Sequence, residues 1–294
     1  MRYRYRYVTH STFVPAVEWH FFKLRAIPCD NEFQHVVSSS LCIAPACHLC
    51  HSRDGQGNAV QWGAIGEGHE AFQVVTEGEV EQTQPYVLHE VPAGYYRVQT
   101  RLTTISREKV KDLEPLPPFA LATGLMHLVH HRIAYTPGHT TTRTTAAEVW
   151  DDGRGVCQDF AHVMLALCRH FGLPARYACG FIEGEGQTHA WVEVSDGQQW
   201  RGFDPTHDRT IEWGYVKLAH GRDADDCPVN RGRFYGCTRE TMTVTAMLSP
   251  LESSTPRILE ASNPRSLESS PNRQIINRKY PDASKRYNPG NAHR

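Results

Sequence analysis

Residues 156–171 read VCQDFAHVMLALCRHF, apolar on nearly every face of a 3.6-residue turn. A helix of that kind has no side to give to water, so the rest of the molecule has to be built around it. Gly172 stops it, and Pro174 follows two residues on. The 294 residues, 40% hydrophobic and 10% aromatic, supply enough chain to enclose it and exclude a wholly disordered polymer. Lys and Arg number 31 against 32 Asp and Glu, a formal net charge of −1. That balance gives no electrostatic case for nucleic acid or an anionic membrane as partner. No apolar run approaches the roughly 20 residues that span a bilayer. The basic start MRYRYRYV leads into no apolar segment of the secretory kind. Nine cysteines, odd in number and scattered, point to free thiols in a reducing cytoplasm rather than a disulfide framework.

Ahead of the helix the pattern is short strands and turns. Tyr3, Tyr5 and Tyr7 alternate with Arg2, Arg4 and Arg6, the period-2 signature of a half-buried strand whose basic face meets solvent. Further strands are expected at 21–27, 35–43, 60–65, 71–76, 87–91 and 95–100. Asp54-Gly55, Gly57-Asn58, Gly66-Glu67-Gly68 and Pro92-Ala93-Gly94 supply the turns between them. Regular short strands with such punctuation predict a sandwich-like β domain over residues 1–112. Pro115, Pro117 and Pro118 then break the pattern, and 119–131 reads as a helix with His130-His131-Arg132 at the negative end of its dipole. A Thr-rich loop and a short helical piece at 146–150 lead to the buried helix, all within a second domain at 113–250. From residue 251 the chain turns polar and Pro/Ser-rich, with the octads LESSTPRI, LEASNPRS and LESSPNRQ, and a disordered low-complexity tail is expected over 251–294.

Cys157 stands at the start of the buried helix, where free N–H groups and the partial positive charge of the helix stabilise a thiolate, the form that attacks a carbonyl. Residues 189–194 alternate as a strand and 200–204 form a plausible return strand, with Asp196-Gly197 as the turn signal. A turn centred between those two residues sets His189 directly opposite Asp204, with Cβ atoms about 5 Å apart on one face. One imidazole nitrogen then faces a carboxylate and the other is free for a thiol. A helix packed on that face would bring Cys157 to His189.

The stretches GVCQDFAHVMLALCRHFGLPARYACGFI (155–182), THAWVEV (188–194) and WRGFDPTHD (200–208) resemble the core of the transglutaminase-like superfamily. They are similar in particular to bacterial proteins described as transglutaminase-like enzymes or candidate cysteine proteases. The β-rich segment resembles the N-terminal domain of those proteins, and residues 221–236 resemble the loop that follows their core. The resemblance implies an α+β molecule, a β-sandwich-like domain followed by a papain-like core with the Cys on a helix and the His and Asp on adjacent antiparallel strands. It implies the roles of nucleophile, base and orienting acid for Cys157, His189 and Asp204, and a lid role for the following loop.

Other polar residues have quieter readings. Asp159 is expected to serve the helix N-terminus and His162 the packing. Trp191 suits a cleft wall or the core equally, and Glu193 is expected to be exposed rather than a secondary acid; Cys168 and Cys179 read as core. Cys47-His48-Leu49-Cys50-His51 matches the haem-attachment pattern and, with Cys42, offers formal zinc ligands. Haem attachment needs export and a small helical fold, and neither is visible, so neither metal nor cofactor is expected. The expected activity is thiol-dependent acyl chemistry on amide bonds of a peptide or protein, with hydrolysis favoured because water is always present and no EF-hand calcium loop appears. Protein-glutamine transamidation and a non-catalytic scaffold whose β domain binds a partner are the alternatives.

Overall fold

The computed structural model describes residues 1–106, 108 and 116–251. The expected domain boundary at 112/113 and the expected tail beyond Leu251 lie outside the described residues. The chain opens with strands β1 (Arg2–Val17), β2 (Trp19–Leu24), β3 (Gln34–Ala44), β4 (Cys50–Arg53), β5 (Ala59–Ile65), β6 (His69–Gln82) and β7 (Val87–Leu88). A 3₁₀ turn at Gly94–Arg97 precedes α1 (Pro118–Arg132), β8 (Ala134–Tyr135), α2 (Ala146–Asp152), β9 (Arg154–Gly155) and α3 (Cys157–His170). Then come β10 (Ala175–Ile182), β11 (Gly184–Gly186), β12 (His189–Ser195), β13 (Trp200–Asp204) and β14 (Arg209–Ile211). The last strands are β15 (Tyr215–Gly221), β16 (Asn230–Tyr235) and β17 (Arg239–Leu251).

One sheet runs β11-β17-β1-β6-β3, a second β16-β2-β5-β4, and a third β14-β13-β12-β10-β15 with β7 on β13. In β1 the alternation works as read. Tyr3, Tyr5 and Tyr7 are buried, with Tyr5 stacked on Phe181 at 5.4 Å. Arg2 and Arg4 reach Glu79 across the sheet at 3.0 Å, and Arg6 reaches Glu77 at 3.8 Å, so the basic stripe is answered by acids on β6. The first two sheets share a core of Tyr3, Phe13, Phe22, Leu24 and Ile65 with Phe181, Val216 and Leu218 of the third.

Several expectations change. Residues 95–100 do not form a strand: Pro92-Ala93-Gly94 feeds a 3₁₀ turn that buries Tyr96 against Trp200 at 5.4 Å. The short strand expected at 71–76 extends over all of β6, and β4 forms where no strand is expected. The largest difference is β17, which pairs along β1 from Leu251 opposite Arg2 to Arg239 opposite Val14, while β16 pairs with β2. The end of the segment assigned to a 113–250 core therefore completes the N-terminal sheets, and the described residues fall in one compact unit.

α3 meets its expectation. Every residue from Asp159 to Arg169 is buried, between α1 (Leu121, Leu125, Met126, Val129) on one side and Ala190, Val192 and Val194 of β12 on the other. Truncating one of its leucines to alanine costs about 2–5 kcal/mol in such surroundings.

Candidate active site

Cys157 is the first residue of α3, and in the first turn the N–H groups have no intrahelical acceptor. The helix starts cleanly because Asp159 folds back over it: its Oδ2 accepts from the Val156 N–H at 2.8 Å and from the Thr140 hydroxyl at 2.6 Å. This fold-back explains Gly155, where an added Cβ would lie 2.7 Å from that of Asp159. Asp159 thus serves the helix N-terminus as expected. His162, also fully buried, accepts the Ala224 N–H at Nε2 (3.2 Å), and burial lowers its pKa to about 3. It holds the 221–226 loop against α3. Arg169 adds a bond to the Arg222 carbonyl, and within the loop Arg222 forks onto Asp226.

The structure brings His189 and Asp204 together, in a register two residues from the one expected. Val192 faces Phe203 and Ser195 faces Trp200, leaving Asp196–Gln199 as a four-residue connection. Asp196 Oδ1 accepts the N–H groups of Gln198 and Gln199, and Gly197 takes a φ of 107°, so the turn closes later than an Asp-Gly pair alone suggests. A slip of two preserves the face. His189 Nε2 reaches Asp204 Oδ2 diagonally at 2.8 Å. That oxygen also accepts from the Tyr215 hydroxyl at 2.6 Å and from His207 Nδ1 at 2.7 Å, while Oδ1 takes the N–H groups of Thr206 and His207. Burial opposes the charge on Asp204, yet the bonds from His189 and His207 outweigh it and hold the carboxyl well below the carboxylate range. Burial likewise disfavours a charged His189, but the hydrogen bond to Asp204 and the influence of nearby Cys157 prevail and raise its pKa to about 9.

The helix does not pack on the face that carries the imidazole. Ala190, Val192 and Val194 face α3, whereas Trp191 lies in a separate cluster with Tyr86, Trp200 and Tyr215. Cys157 begins the helix and His189 begins the strand that pack on one another. Trp191 stacks beside His189 with ring centroids 6.4 Å apart and donates its Nε1–H to the Tyr86 hydroxyl at 2.9 Å.

Glu193 is fully buried, contrary to its expected exposure. It is ion-paired to Arg176, accepts Lys217 Nζ at 2.9 Å, and takes the Tyr86 hydroxyl at 2.5 Å. Both faces of β12 are covered, so a strand read as half-exposed has no solvent side. His207, Tyr215 and the Glu193 network escaped the sequence reading. His207 alone left a signal, lying three residues past Asp204 in a polar turn.

The ligand atoms of His189, Asp204 and His207 lie within 4.8 Å of one another, the one group of this size and spacing among the described residues. Both imidazoles already bond to Asp204, so the carboxylate needs no ion to be satisfied. Around Cys47 the sulfurs and imidazoles do not converge in such a group; Cys50 Sγ meets only His48 Nδ1, at 3.8 Å. All nine cysteines are free, and no helix among the described residues is long and apolar enough to cross a membrane.

Residues 3–81 match the bacterial transglutaminase-like N-terminal region, and residues 107–205 match the transglutaminase-like superfamily core. An uncharacterized protein of Mycobacterium leprae is 31% identical over 155 residues, covering 49% of this chain and 54% of its own. Another, of Mycobacterium tuberculosis, is 28% identical over 281 residues, covering 80% of this chain and 88% of its own. The crystal structure of a candidate cysteine protease from Cytophaga hutchinsonii superposes with a TM-score of 0.71 over 86% of this chain and 92% of that one, at 22% identity, and so shares the fold. With an N-terminal region and a core of matching kinds in the same order, the chain belongs to the transglutaminase-like superfamily.

Proposed function

We propose that the protein is a cysteine hydrolase that cleaves amide bonds in peptides or proteins, with Cys157 as nucleophile, His189 as proton carrier and Asp204 as orienting acid. The observation that carries this reading is a buried imidazole bonded to a carboxylate through Nε2, on the strand that packs against the helix Cys157 begins. Asp204 stabilises the imidazolium that forms when the thiol gives up its proton. The Cys157 sulfur attacks the carbonyl, and the oxyanion is met by the unpaired N–H of Cys157. His189 gives its proton to the departing amine as the C–N bond breaks, leaving a thioester. Water, deprotonated by the same imidazole, attacks that thioester, releases the carboxylic acid and restores the thiol.

An amine arriving in place of water would yield a new amide, the transamidase outcome. The two share every step up to the thioester. Mass-spectrometric analysis of a peptide library, incubated with and without a primary alkylamine, separates them. New peptide termini in both samples support the hydrolase. Amine-modified glutamine without cleavage would replace it with the transamidase, and an unchanged library would favour the binding scaffold.

A further inference from the structure

The second sheet buries one face and shows the other to solvent. On β2, His20, Phe22 and Leu24 point inward, leaving Trp19, Phe21 and Lys23 on the outer side. Register places Tyr235 beside Trp19, Arg233 beside Phe21, and Trp62 beside Lys23. The rings form a continuous ladder, Tyr235 to Trp19 to Phe21 to Trp62, with successive centroids 6.0, 6.3 and 6.2 Å apart. Tyr235 is 70% exposed, Trp62 40% and Trp19 38%. A cleft of about 310 Å³ beside Trp62 is lined also by Phe21, Lys23, Arg53 and Asp54, the last paired with Arg25. Among the described residues Lys23 and Arg233 have no ion-pair partner, although Arg231 on the same strand is paired with Asp225. The buried side of the sheet asks for none of these outward groups, and contiguous aromatic surface of this kind marks a binding site.

We propose that this face binds an extended, acidic stretch of polypeptide, seating alternate apolar side chains on the ladder and carboxylates on Lys23 and Arg233. Alternate side chains of an extended chain repeat every 6.6 Å or so, close to the spacing of the rings. Two free cations suit one or two carboxylates. A nucleic acid held through phosphates draws on about 6–10 such contacts, which this face does not offer. Nor does the protein's own tail fit, because residues 252–294 carry eight Lys and Arg against four Asp and Glu. As a docking place for the polypeptide to be cleaved, the face rests on the hydrolase reading; the binding itself does not.

The test is fluorescence anisotropy with the full chain carrying Cys157→Ala, so that no probe is consumed. The probe is labelled Glu-Ser-Phe-Ser-Phe-Ser-Phe-Ser-Glu. The same peptide with lysine for both glutamates and a ten-residue oligodeoxythymidylate are its competitors. The glutamate peptide should bind at least tenfold tighter than either. Arg233→Glu with Lys23→Glu should weaken it tenfold or more, and Trp62→Ser should do the same by removing stacking alone. Equal binding of the lysine peptide, tighter binding of the oligonucleotide, or variants that bind as well as the parent would overturn the proposal. Peptide turnover by the unmodified chain without probe binding would sink this inference and spare the hydrolase; binding without turnover would do the reverse.

Discussion

Glu193 sits four residues along β12 from His189 and on the same face, yet its work is structural. Burial opposes its charge, but Arg176 and then Lys217 overcome this and keep it ionised. Glu193→Gln leaves two buried cations short of their counter-charge, and the loss of one partner of a buried pair costs about 3–5 kcal/mol. Chemical denaturation is expected to show a loss of that size, with the active-site residues themselves unaltered. His189→Ala and Asp204→Asn are predicted to act on chemistry as well as on stability: peptide cleavage falls by several orders of magnitude in the first and less in the second, and both lose the buried His189–Asp204 pair. Cleavage near the parent rate by the folded His189→Ala variant would count against these roles. The raised pKa of His189 also fixes a pH limit. Its charged form contributes stability that is complete below its ordinary value of 6.5 and is lost as pH rises through about 9. Cleavage rates should fall along the same alkaline limb, and a profile still rising at pH 10 would show that a charged imidazole is not required.

At the scale of elements, the sequence was most informative where one stretch of chain carried its own reason. α3 is apolar all round, and β1 alternates tyrosine with arginine. Pairing between distant strands leaves no such local trace. Nothing in residues 239–251 announces that they lie against residues 2–14, and nothing in the Asp-Gly pair reveals that the turn extends to Gln199. Even so, the face of the hairpin was legible, because a two-residue slip preserves alternation. β17 leads to a specific expectation: a chain ending at Cys237 loses the strand that covers β1 and should aggregate or fail to fold. A chain ending at Leu251 keeps it and should melt within a few degrees of full length. Size-exclusion chromatography with thermal melts of the two truncations decides this, and a stable, monomeric chain ending at Cys237 would contradict it.

For the whole molecule, the shared core of the N-terminal sheets and the third sheet implies that they unfold together. Tryptophan fluorescence and far-ultraviolet circular dichroism should trace one coincident urea transition, whereas two separated transitions would mean independently stable domains. Glu193, invisible as a structural residue in the sequence, belongs to this scale as well, since its partners Tyr86, Arg176 and Lys217 come from three separate strands or loops that only the folded chain assembles. The same convergence puts the start of a buried helix against the start of a buried strand, and the proposed chemistry depends on it. Its most direct test is time-resolved iodoacetamide mapping of all nine thiols at pH 6, where an ordinary cysteine is almost wholly protonated and slow to react. The prediction is that Cys157 is modified first, ahead of the exposed Cys42 and Cys237, and that His189→Ala abolishes this lead. Faster labelling of Cys42 or Cys237 in the folded protein, or a Cys157 rate indifferent to His189→Ala, would contradict it.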